Sequence, residues 1–582
     1  MQRLPTYEQL YASFRWNIPA CYNIAVDVCD RHAADPGKVA LIGETADGKT
    51  WQMSFRNVQR KANQLANLLV GNGLIKGDCV MLLLGQNPWT AVAHVACWKA
   101  GLVSVPVSPL FAADAVAYRL NLVTARIIIT DQTSLPTALR ARAMANDAVR
   151  LYVIDGQASE AESLSSALES ARDTFTNVDT ASDDPAFLNF TSGTTGNPKG
   201  ALQAHRSMLG HLPGAEFGLD FFPQPGDLMW SPADWAWLAG LMDVLMPAWY
   251  HGVPVLTFRA PRFDPEQAFA MIGRHQVRTA LLVPTMLRLM RQVADPVERF
   301  GARLRVVYSG GESVGKELLE WGSEVLKIPI NEVFGQTECN LVLGSNSGVM
   351  PIKPGSIGRA IPGHVAAIVN DDGEEQPPGT IGNIAFRSPD PVMMLEYWCN
   401  PQATRDKYAN GWLITGDLGT CDEDGYFWFH GRADDVITSG GYRIGPSEIE
   451  DALARHPAVV MAAAIGVPDP VRTESIKAFV VLRDGLSPSR ELVDEIRNFV
   501  RDHLARHEVP RDVEFVTALP MTTTGKIMRR QLRDAERAKL AGRYLSPMAF
   551  HGRCSVAVEH PAGVDLPHTG QPDRIALLAY QR

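Results

Sequence analysis

Residues 190–200 have the sequence Phe-Thr-Ser-Gly-Thr-Thr-Gly-Asn-Pro-Lys-Gly, with three glycines, three threonines and a serine in eleven residues. Glycines allow backbone conformations that other residues disfavour, and closely spaced N–H and O–H groups can surround phosphate oxygens. The spacing is not that of a Walker loop. An ordinary solvated turn is the alternative, but it does not account for the density of hydroxyl groups. The segment is therefore predicted to bind phosphate through Thr191, Ser192, Gly193, Thr194, Thr195, Gly196 and Lys199.

The sequence on both sides of this loop alternates short apolar segments with helical patterns. One helix is predicted between Ser54, its N-cap, and Gly71, just past its end. The predicted buried strands are Val80–Leu84, Val103–Val107, Ile127–Thr130, Leu151–Ile154, Leu281–Val283 and Val306–Tyr308. Strands separated by helices form βαβ units. The pattern therefore predicts an α/β fold with a parallel sheet covered on both faces.

The composition changes after residue 380. Residues 411–435 are rich in glycine, aspartate and aromatic residues, which indicates turns and antiparallel hairpins. A smaller α+β unit follows. Its predicted helices are Ser447–Leu453 and Arg490–His507, and its predicted strand is Ala478–Leu482. From residue 541 no period is sustained. We therefore expect a large domain over 1–433, a small domain over 434–540 and an irregular tail over 541–582.

Composition excludes several classes of function. The 582 residues carry 55 Lys and Arg against 64 Asp and Glu, a net charge of −9, so nucleic-acid binding through bulk charge is not expected. The eight cysteines form no CxxC pair, which favours a reducing, cytoplasmic setting. The sequence contains neither an export signal at its start nor 18 consecutive apolar residues, so no membrane partner is expected.

Several further motifs follow the loop in a fixed order: Ser309–Glu312, Phe334–Glu338, Thr415–Asp417, Gly431–Asp435 and Thr524–Ile527. With the loop, they resemble the adenylate-forming superfamily, which includes acyl-CoA synthetases, peptide-synthetase adenylation domains and firefly luciferase. The resemblance extends over roughly residues 20–535. The segment Phe334–Glu338 and the ending Gly-Lys-Ile-Met-Arg-Arg are most similar to acetyl- to medium-chain acyl-CoA synthetases. The resemblance implies a large N-terminal domain with parallel-rich sheets and a β-hairpin subdomain, joined to a small mobile α+β domain.

The resemblance also implies a reaction. A carboxylate and ATP form acyl-AMP and pyrophosphate, and the CoA thiol then displaces AMP without a covalent enzyme intermediate. ATP, Mg²⁺ and coenzyme A are the implied cofactors, and a small carboxylic acid is the implied partner. The oligomeric state is left open.

The same resemblance assigns roles to single residues. Glu338 is the implied Mg²⁺ ligand, Thr337 a donor to the α-phosphate, and Lys526 the cation that bridges the substrate carboxylate and the α-phosphate. For a single glutamate or lysine, a solvated surface charge is the alternative. The other implied nucleotide contacts are Gly310, Gly311, Glu312, Phe334, Gly335, Gln336, Asp417 and Arg432.

Two further groups of residues follow from the resemblance. Asp434 is the implied hinge, and Gly440, Gly441 and Arg443 lie on the implied face for CoA. The acyl pocket is implied by Trp237, Leu238, Gly310 and Gly335. Relatives restricted to acetate carry Val at the position of Gly310 and Trp at the position of Gly335, so a deeper pocket is expected. Propionate through medium-chain or small aromatic acids should outperform acetate, and diacids should bind poorly because an unpaired buried charge is costly.

Two other functions remain open on the sequence. The acyl group could pass to a carrier protein or to oxygen instead of CoA, although residues after 540 show no helical period typical of a fused carrier. A non-catalytic binder of the same fold is the second alternative, but it would be expected to have lost Glu338, Asp417 or Lys526. Asp422–Gly425 is predicted to be a hairpin turn, not a calcium loop, and His205 a local hydrogen-bonding residue, not a zinc ligand.

Overall fold

The computed structural model describes residues 1–44, 48–157, 159–191, 198–258, 263–432, 435, 437–439, 442–469, 472–504, 506–521 and 527–540. Within these residues the strands form four sheets. The first three sheets use strands between residues 39 and 432, and the fourth uses strands between residues 437 and 515.

The first sheet contains eight described strands. In spatial order they are Glu396–Tyr397, Lys199–Ala204, Pro185–Thr191, Val103–Val107, Cys79–Leu83, Ile127–Thr130, Arg150–Val153 and Glu162–Ser163. The strand Lys199–Ala204 is antiparallel to both of its neighbours, Glu396–Tyr397 and Pro185–Thr191. All other neighbouring strands of this sheet are parallel. The strand Pro185–Thr191 therefore ends where the phosphate-binding loop begins.

The second sheet contains nine described strands and carries two of the sequence motifs. Their order is Arg359–Ala360, Cys339–Gly344, Ile330–Gln336, Val306–Gly310, Thr279–Leu281, Met229–Trp230, Val255–Thr257, Val39–Glu44 and Thr50–Ser54. Ile330–Gln336 and Cys339–Gly344 are antiparallel and closely connected, which places Thr337 and Glu338 at the turn between them. A parallel-rich sheet thus presents the motif at one of its ends.

The third sheet is antiparallel and the fourth is mainly so. The third contains Ala366–Val369, Gly382–Arg387, Trp412–Cys421, Tyr408–Ala409 and Phe427–Arg432. The fourth contains Tyr442–Ile444, Ile437–Ser439, Thr473–Leu482, Val459–Asp469 and Asp512–Phe515, and the last of these pairs in parallel. The hairpins expected in residues 411–435 are confirmed, including the turn at Asp422–Gly425.

The helices cover the faces of the first two sheets and of the fourth. The α-helices are Tyr7–Ser13, Phe55–Gly71, Pro88–Lys99, Ala113–Val123, Leu135–Ala143, Leu164–Leu168, Ser207–Gly218, Met246–Tyr250, Pro265–His275, Pro284–Met290, Pro296–Phe300, Lys316–Trp321, Pro401–Arg405, Pro446–Ala454, Arg490–His503 and Arg529–Leu540. Three π-helical segments are Val26–Asp30, Ala239–Leu245 and Gly322–Leu326. None of the helices in the described residues is long and apolar enough to cross a membrane.

The predicted elements agree with the structure except at their ends. Ser54 caps the first predicted helix by accepting a hydrogen bond from the Asn57 N–H, but Gly71 is its last residue and Asn72 its C-cap. The strand predicted at Leu281–Val283 is Thr279–Leu281, because Val283 is already the N-cap of the helix that begins at Pro284. The helix predicted to reach His507 ends at His503.

The largest core cluster lies between the first two sheets. It is lined by apolar faces of Phe55–Gly71, Pro88–Lys99 and Ser207–Gly218, and the tryptophans Trp98, Trp235 and Trp249 are fully buried within it. At roughly 25 cal/mol per Å² of apolar surface removed from water, burial of such large side chains is the main source of stability. The core fixes the two sheets relative to each other, and with them the strand end at Thr191 and the Thr337–Glu338 turn.

Candidate functional site

The Glu338 carboxylate is held by a tyrosine from the first sheet. Glu338 lies at the turn after Ile330–Gln336 and is 7 % exposed. The Tyr397 hydroxyl donates a hydrogen bond to its Oε1, and Tyr397 itself pairs with Ala201 in the strand that follows the loop. The turn of the second sheet is therefore attached to the strand Lys199–Ala204 of the first.

Lys199 contacts the aromatic ring of the same tyrosine, Tyr397. Its Nζ is 4.9 Å from the centre of the Tyr397 ring. The Thr191 hydroxyl, at the opposite end of the loop, is 3.5 Å from the Lys199 carbonyl oxygen. A cation over an aromatic face is held electrostatically without a carboxylate partner. The arrangement keeps a positive charge at the end of the loop and beside Glu338.

Asp417 joins the third sheet to the Phe334–Glu338 motif. Its Oδ2 accepts a hydrogen bond from Gln336 Nε2 at 3.2 Å, and its Oδ1 lies 3.4 Å from Arg432 Nε. Gln336 Nε2 also donates to the Thr415 carbonyl, and Lys407 Nζ donates to Gln336 Oε1 at 2.8 Å. The motif residues Thr415, Gln336, Asp417 and Arg432 are thus connected in one network around the Asp417 carboxylate.

Burial shifts the pKa values of Lys407, which belongs to this network, and of Tyr397, which holds Glu338. Desolvation lowers the pKa of Lys407, while the negative charges of Glu338 and Asp417 oppose the shift. Desolvation and the adjacent Glu338 charge raise the pKa of Tyr397, so its hydroxyl keeps its proton at any physiological pH. Tyr397 therefore remains a donor to Glu338.

The segment Gly310–Glu312 ends the strand Val306–Gly310. Gly311 has a φ of 87°, a conformation that favours glycine. The Glu312 carboxylate accepts hydrogen bonds from the Thr285 hydroxyl at 2.8 and 3.0 Å and lies 3.5 Å from Arg288. The Glu312 side chain is therefore bonded to other residues of the protein, and only the backbone of the segment would be available to contact a ligand.

The residues expected to line the acyl pocket come from two parts of the fold, with Trp237 and Leu238 before the π-helical segment Ala239–Leu245 and Gly310 and Gly335 in strands of the second sheet. Leu238 is buried, and the Trp237 ring packs edge-on against Phe111 with centroids 5.7 Å apart. A Cβ at Gly310 would lie 2.3 Å from the Val333 carbonyl oxygen, and one at Gly335 would lie 2.4 Å from the Leu341 nitrogen. Both glycines thus allow close approach of neighbouring backbone, and their hydrogens do not face open space. This arrangement does not show that either glycine deepens a pocket.

Comparison with known proteins identifies the family. A family model described as AMP-binding enzyme matches residues 29–398, and one described as AMP-binding enzyme C-terminal domain matches residues 448–526. The first match alone covers more than half of the chain. The chain belongs to the AMP-binding enzyme family.

Similar proteins support the same conclusion for this AMP-binding enzyme. The acetyl-coenzyme A synthetase of Bacillus subtilis (strain 168) is 34% identical over 554 residues, 92% of this chain and 95% of that protein. The mitochondrial acyl-coenzyme A synthetase ACSM3 of Rattus norvegicus is 34% identical over 549 residues, 92% of this chain and 94% of that protein. The crystal structure of the anthranilate CoA ligase AuaEII in complex with anthranoyl-AMP aligns with a TM-score of 0.84 at 30% identity, covering 90% of this chain and 99% of that one.

These similarities confirm the predicted superfamily, the α/β fold with a large N-terminal and a small C-terminal domain, and the enzyme class of AMP-forming acid–thiol ligases. They do not test single residues. Of the expected site residues, Ser192, Gly193, Thr194, Thr195, Gly196, Asp434, Gly440, Gly441 and Lys526 lie outside the described residues. Arg443 lies in the strand Tyr442–Ile444, where its backbone pairs with Thr438.

Three residues of the AMP-binding enzyme's site were missed by sequence reasoning. Tyr397 and Lys407 contact Glu338 and Gln336, and Gln203 Nε2 donates a hydrogen bond to the Thr337 carbonyl at 2.7 Å. Each is a single polar residue outside the quoted motifs. The one available signal was that Gln203 follows the loop within the same strand.

The acids Asp422 and Asp424 of the Asp422–Gly425 turn and His205 have partners within the protein. Lys353 forms ion pairs with both Asp422 and Asp424. His205 is buried and accepts a hydrogen bond from the Ile24 N–H, as expected of a local hydrogen-bonding residue. Across the described part of the chain, no group of three His, Cys, Asp or Glu side chains is placed to hold a metal ion.

Proposed function

We propose that this AMP-binding enzyme activates a monocarboxylic acid with ATP to form acyl-AMP and then transfers the acyl group to the thiol of CoA. The observation that carries this proposal is the placement of Glu338 in the turn after Gln336, whose side chain donates a hydrogen bond to Asp417, while Tyr397 joins Glu338 to the strand that follows the loop. It brings groups suited to a metal, a ribose and phosphates to one place. The relatives with acyl-CoA synthetase names support the same reaction.

The nucleotide would lie across the three sheets. Asp417 has two oxygens that can accept both ribose hydroxyls, and Arg432 lies beside it as a donor to ribose or phosphate. Gly310 and Gly311 would let the backbone approach the adenine ring, with Glu312, Phe334 and Gly335 in the same region. The loop from Thr191 to Lys199, including Ser192 to Gly196, would surround the phosphates, and Thr337 would donate to the α-phosphate.

The environment of Glu338 fits a role as Mg²⁺ ligand. A carboxylate has about four acceptor positions, so the hydrogen bond from Tyr397 leaves oxygen lone pairs for a cation. Mg²⁺ is commonly bound by one or two carboxylates together with phosphate oxygens and water, so a larger cluster of acids is not required. When bound, the ion would neutralise charge on the leaving pyrophosphate.

Lys526 and the small domain would supply the remaining parts. Lys526 would neutralise charge as the carboxylate attacks the α-phosphate. Asp434 would be the hinge, and Gly440, Gly441 and Arg443 would form the face used with CoA. Asp435, the residue after the expected hinge, has its carboxylate 2.6 Å from Arg533 and 3.7 Å from Arg529. It is thus attached to the helix Arg529–Leu540. These contacts would fix the small-domain side of the hinge.

We further propose the domain limits 1–433 and 434–540, with residues 541–582 as a tail, and a cytoplasmic location. The seven described cysteines are free thiols, as suits a reducing compartment. The acid would be short, medium-chain or small aromatic, because Trp237 and Leu238 provide an apolar, partly aromatic wall. A second carboxylate would be disfavoured there.

The test is an assay with a panel of carboxylic acids, ATP, Mg²⁺ and CoA. We expect AMP, pyrophosphate and acyl-CoA in equal amounts with at least one monocarboxylic acid, and no AMP without acid. The Glu338→Gln variant should lose most of this activity, whereas Glu423→Gln, on an exposed turn, should retain it. Release of AMP that never depends on CoA would favour another acceptor. Absence of AMP and of pyrophosphate exchange with every acid would reject the proposed reaction.

A further inference from the structure

Asp243 is a buried acid in the wall assigned to the acyl group. It lies in the π-helical segment Ala239–Leu245, which directly follows Trp237 and Leu238, and its exposed fraction is 4 %. Its Oδ1 accepts a hydrogen bond from Asn340 Nδ2 at 2.7 Å. The Tyr308 hydroxyl donates to its backbone carbonyl oxygen. Asp243 is thus fixed by two residues from the central strands of the second sheet.

These two partners place Asp243 next to the acyl side of the proposed site. Asn340 follows Glu338 by two residues, and its Oδ1 would lie 2.7 Å from a Cβ at Gly335. Tyr308 precedes Gly310 by two residues in the same strand. Asp243 is therefore one hydrogen bond from the segments that carry both glycines of the expected acyl pocket.

One buried polar atom of the Trp237 side of this wall has no hydrogen-bond partner among the described residues: the Trp237 Nε1–H lacks an acceptor. In Asp243, donors reach Oδ1 and the backbone carbonyl, and the described residues place no donor at Oδ2. Buried polar atoms are usually paired, so a group left unpaired in a pocket wall indicates a partner supplied by a ligand. A structural aspartate would be expected to use both oxygens.

The protonation state of Asp243 suits the recognition of a neutral polar group. Burial raises its pKa to about 8, and the hydrogen bond from Asn340 only partly opposes the shift. A protonated carboxyl can both donate and accept a hydrogen bond. An ionised one would attract an ammonium group and repel a second carboxylate. Both forms would disfavour a purely apolar acyl group, because that group would cover the Asp243 Oδ2 without offering it a hydrogen bond.

We propose that Asp243 is a specificity-determining residue that binds a hydroxyl or amino group on the acyl part of the substrate. The preferred acids are then hydroxy- or amino-substituted monocarboxylic acids. This inference rests on the proposed function, because it requires an acid to lie against the wall that contains Trp237.

The test compares acids that differ in one group, using the full chain with Mg²⁺-ATP and CoA. The panel contains benzoates with an amino, hydroxyl or methyl group at the 2-, 3- or 4-position, and hexanoate with its 6-amino and 6-hydroxy forms. For at least one position, we expect kcat/KM of the amino or hydroxy acid to exceed that of the methyl or unsubstituted acid about tenfold or more. Sites that hydrogen-bond a substrate group discriminate strongly against analogues that lack it.

Substitutions separate recognition from structural support. Asp243→Leu should bring the kcat/KM ratio of polar to apolar acid close to one or below it, whereas Asp243→Asn should keep a preference for the hydroxy acid. The exposed Asp372→Leu should leave the ratio unchanged. A purely structural Asp243 would lower kcat/KM for both acids of a pair alike. If Asp243→Leu does not fold, the wild-type and Asp243→Asn ratios decide the question.

The possible failures are distinguishable. If the wild-type enzyme forms acyl-CoA but prefers the methyl or unsubstituted acid at every position, the proposed function stands and the role of Asp243 is rejected. A polar-to-apolar ratio that Asp243→Leu changes less than twofold rejects the role as well. If no acid yields AMP or pyrophosphate exchange, the proposed function itself fails and the inference fails with it.

Discussion

The Tyr397 hydroxyl donates a hydrogen bond to the Glu338 carboxylate, although 59 positions separate the two residues in the sequence. The tyrosine belongs to the first sheet and the glutamate to the turn of the second, so one bond attaches the expected metal ligand to the strand that follows the phosphate-binding loop. Lys199 Nζ lies over the ring of the same tyrosine, so Tyr397 contacts both the cation after the loop and the carboxylate.

Tyr397→Phe should weaken the use of Mg²⁺-ATP. The substitution removes a hydrogen bond to a charged group, typically about 1.5–3 kcal/mol, and leaves Glu338 without its orienting donor. We expect the Mg²⁺ concentration for half-maximal pyrophosphate exchange to rise about tenfold or more. Tyr426→Phe, which removes a hydroxyl bonded to the Pro351 carbonyl far from the site, is the matched control. An unchanged Mg²⁺ dependence would mean that Tyr397 does not orient the metal ligand.

Asp417→Asn should weaken nucleotide binding. An amide presents one acceptor oxygen in place of two, so it cannot accept both ribose hydroxyls and also the Gln336 amide. The loss of one charge-assisted hydrogen bond predicts about a tenfold to hundredfold higher Kd for ATP, measured by calorimetry. The exposed Asp484→Asn should bind ATP like the wild-type enzyme. Equal affinities for ATP in the wild-type enzyme and both variants would show that Asp417 does not bind the ribose.

Lys526→Ala should abolish adenylation but spare thioester formation from supplied acyl-AMP. The charge that Lys526 would neutralise develops only in the first step, and loss of such a positioned contact typically costs about 10²–10³ in rate. Pyrophosphate exchange and acyl-AMP consumption with CoA measure the two steps separately. Lys316→Ala, at an exposed ion pair with Glu320, is the control. Exchange that survives within a few-fold would contradict the assignment.

Gly441→Leu should have the opposite effect. A side chain on the proposed CoA face would obstruct the arm of CoA, whereas acyl-AMP formation does not use that face. We expect pyrophosphate exchange near the wild-type rate and a large loss of acyl-CoA formation. Equal loss of both half-reactions would refute the use of two domain arrangements.

Glu332→Gln should change the pH dependence of stability. Burial raises the pKa of Glu332 to about 8, an effect that Asp451 reinforces and that the Val314 N–H and Arg288 oppose. The folded protein therefore binds more protons than the unfolded chain between about pH 4.5 and pH 8, so this group makes wild-type stability fall as pH rises through that range. Glutamine does not titrate. The Tm of Glu332→Gln minus that of the wild type should increase from pH 5 to pH 8.5.

The control for this measurement is Glu423→Gln, on an exposed hairpin turn, whose Tm difference from the wild type should stay nearly constant. A Tm difference for Glu332→Gln that is constant or falls with rising pH would show that the carboxyl is ionised in the folded protein.

Local sequence patterns determined most of the fold. Val103–Val107 and Ile127–Thr130 were predicted with the limits that the structure has, because continuous apolar segments of this length are buried on both faces of a parallel sheet. Ser54 was identified as an N-cap from its side chain and position alone. Errors were confined to element ends, such as Thr279–Leu281, where neighbouring proline and tertiary packing decide the last residue.

The sequence by itself also determined the family and the motif residues Glu338, Gln336 and Asp417, because residues within one motif are separated by fixed short distances along the chain. Only the tertiary structure decided which residues surround them. Tyr397, Lys407 and Asp243 reach the site across 59, 71 and 97 positions of sequence, through hydrogen bonds to Glu338, Gln336 and Asn340. Such contacts depend on how separate sheets pack on a common core, and no local period encodes that packing.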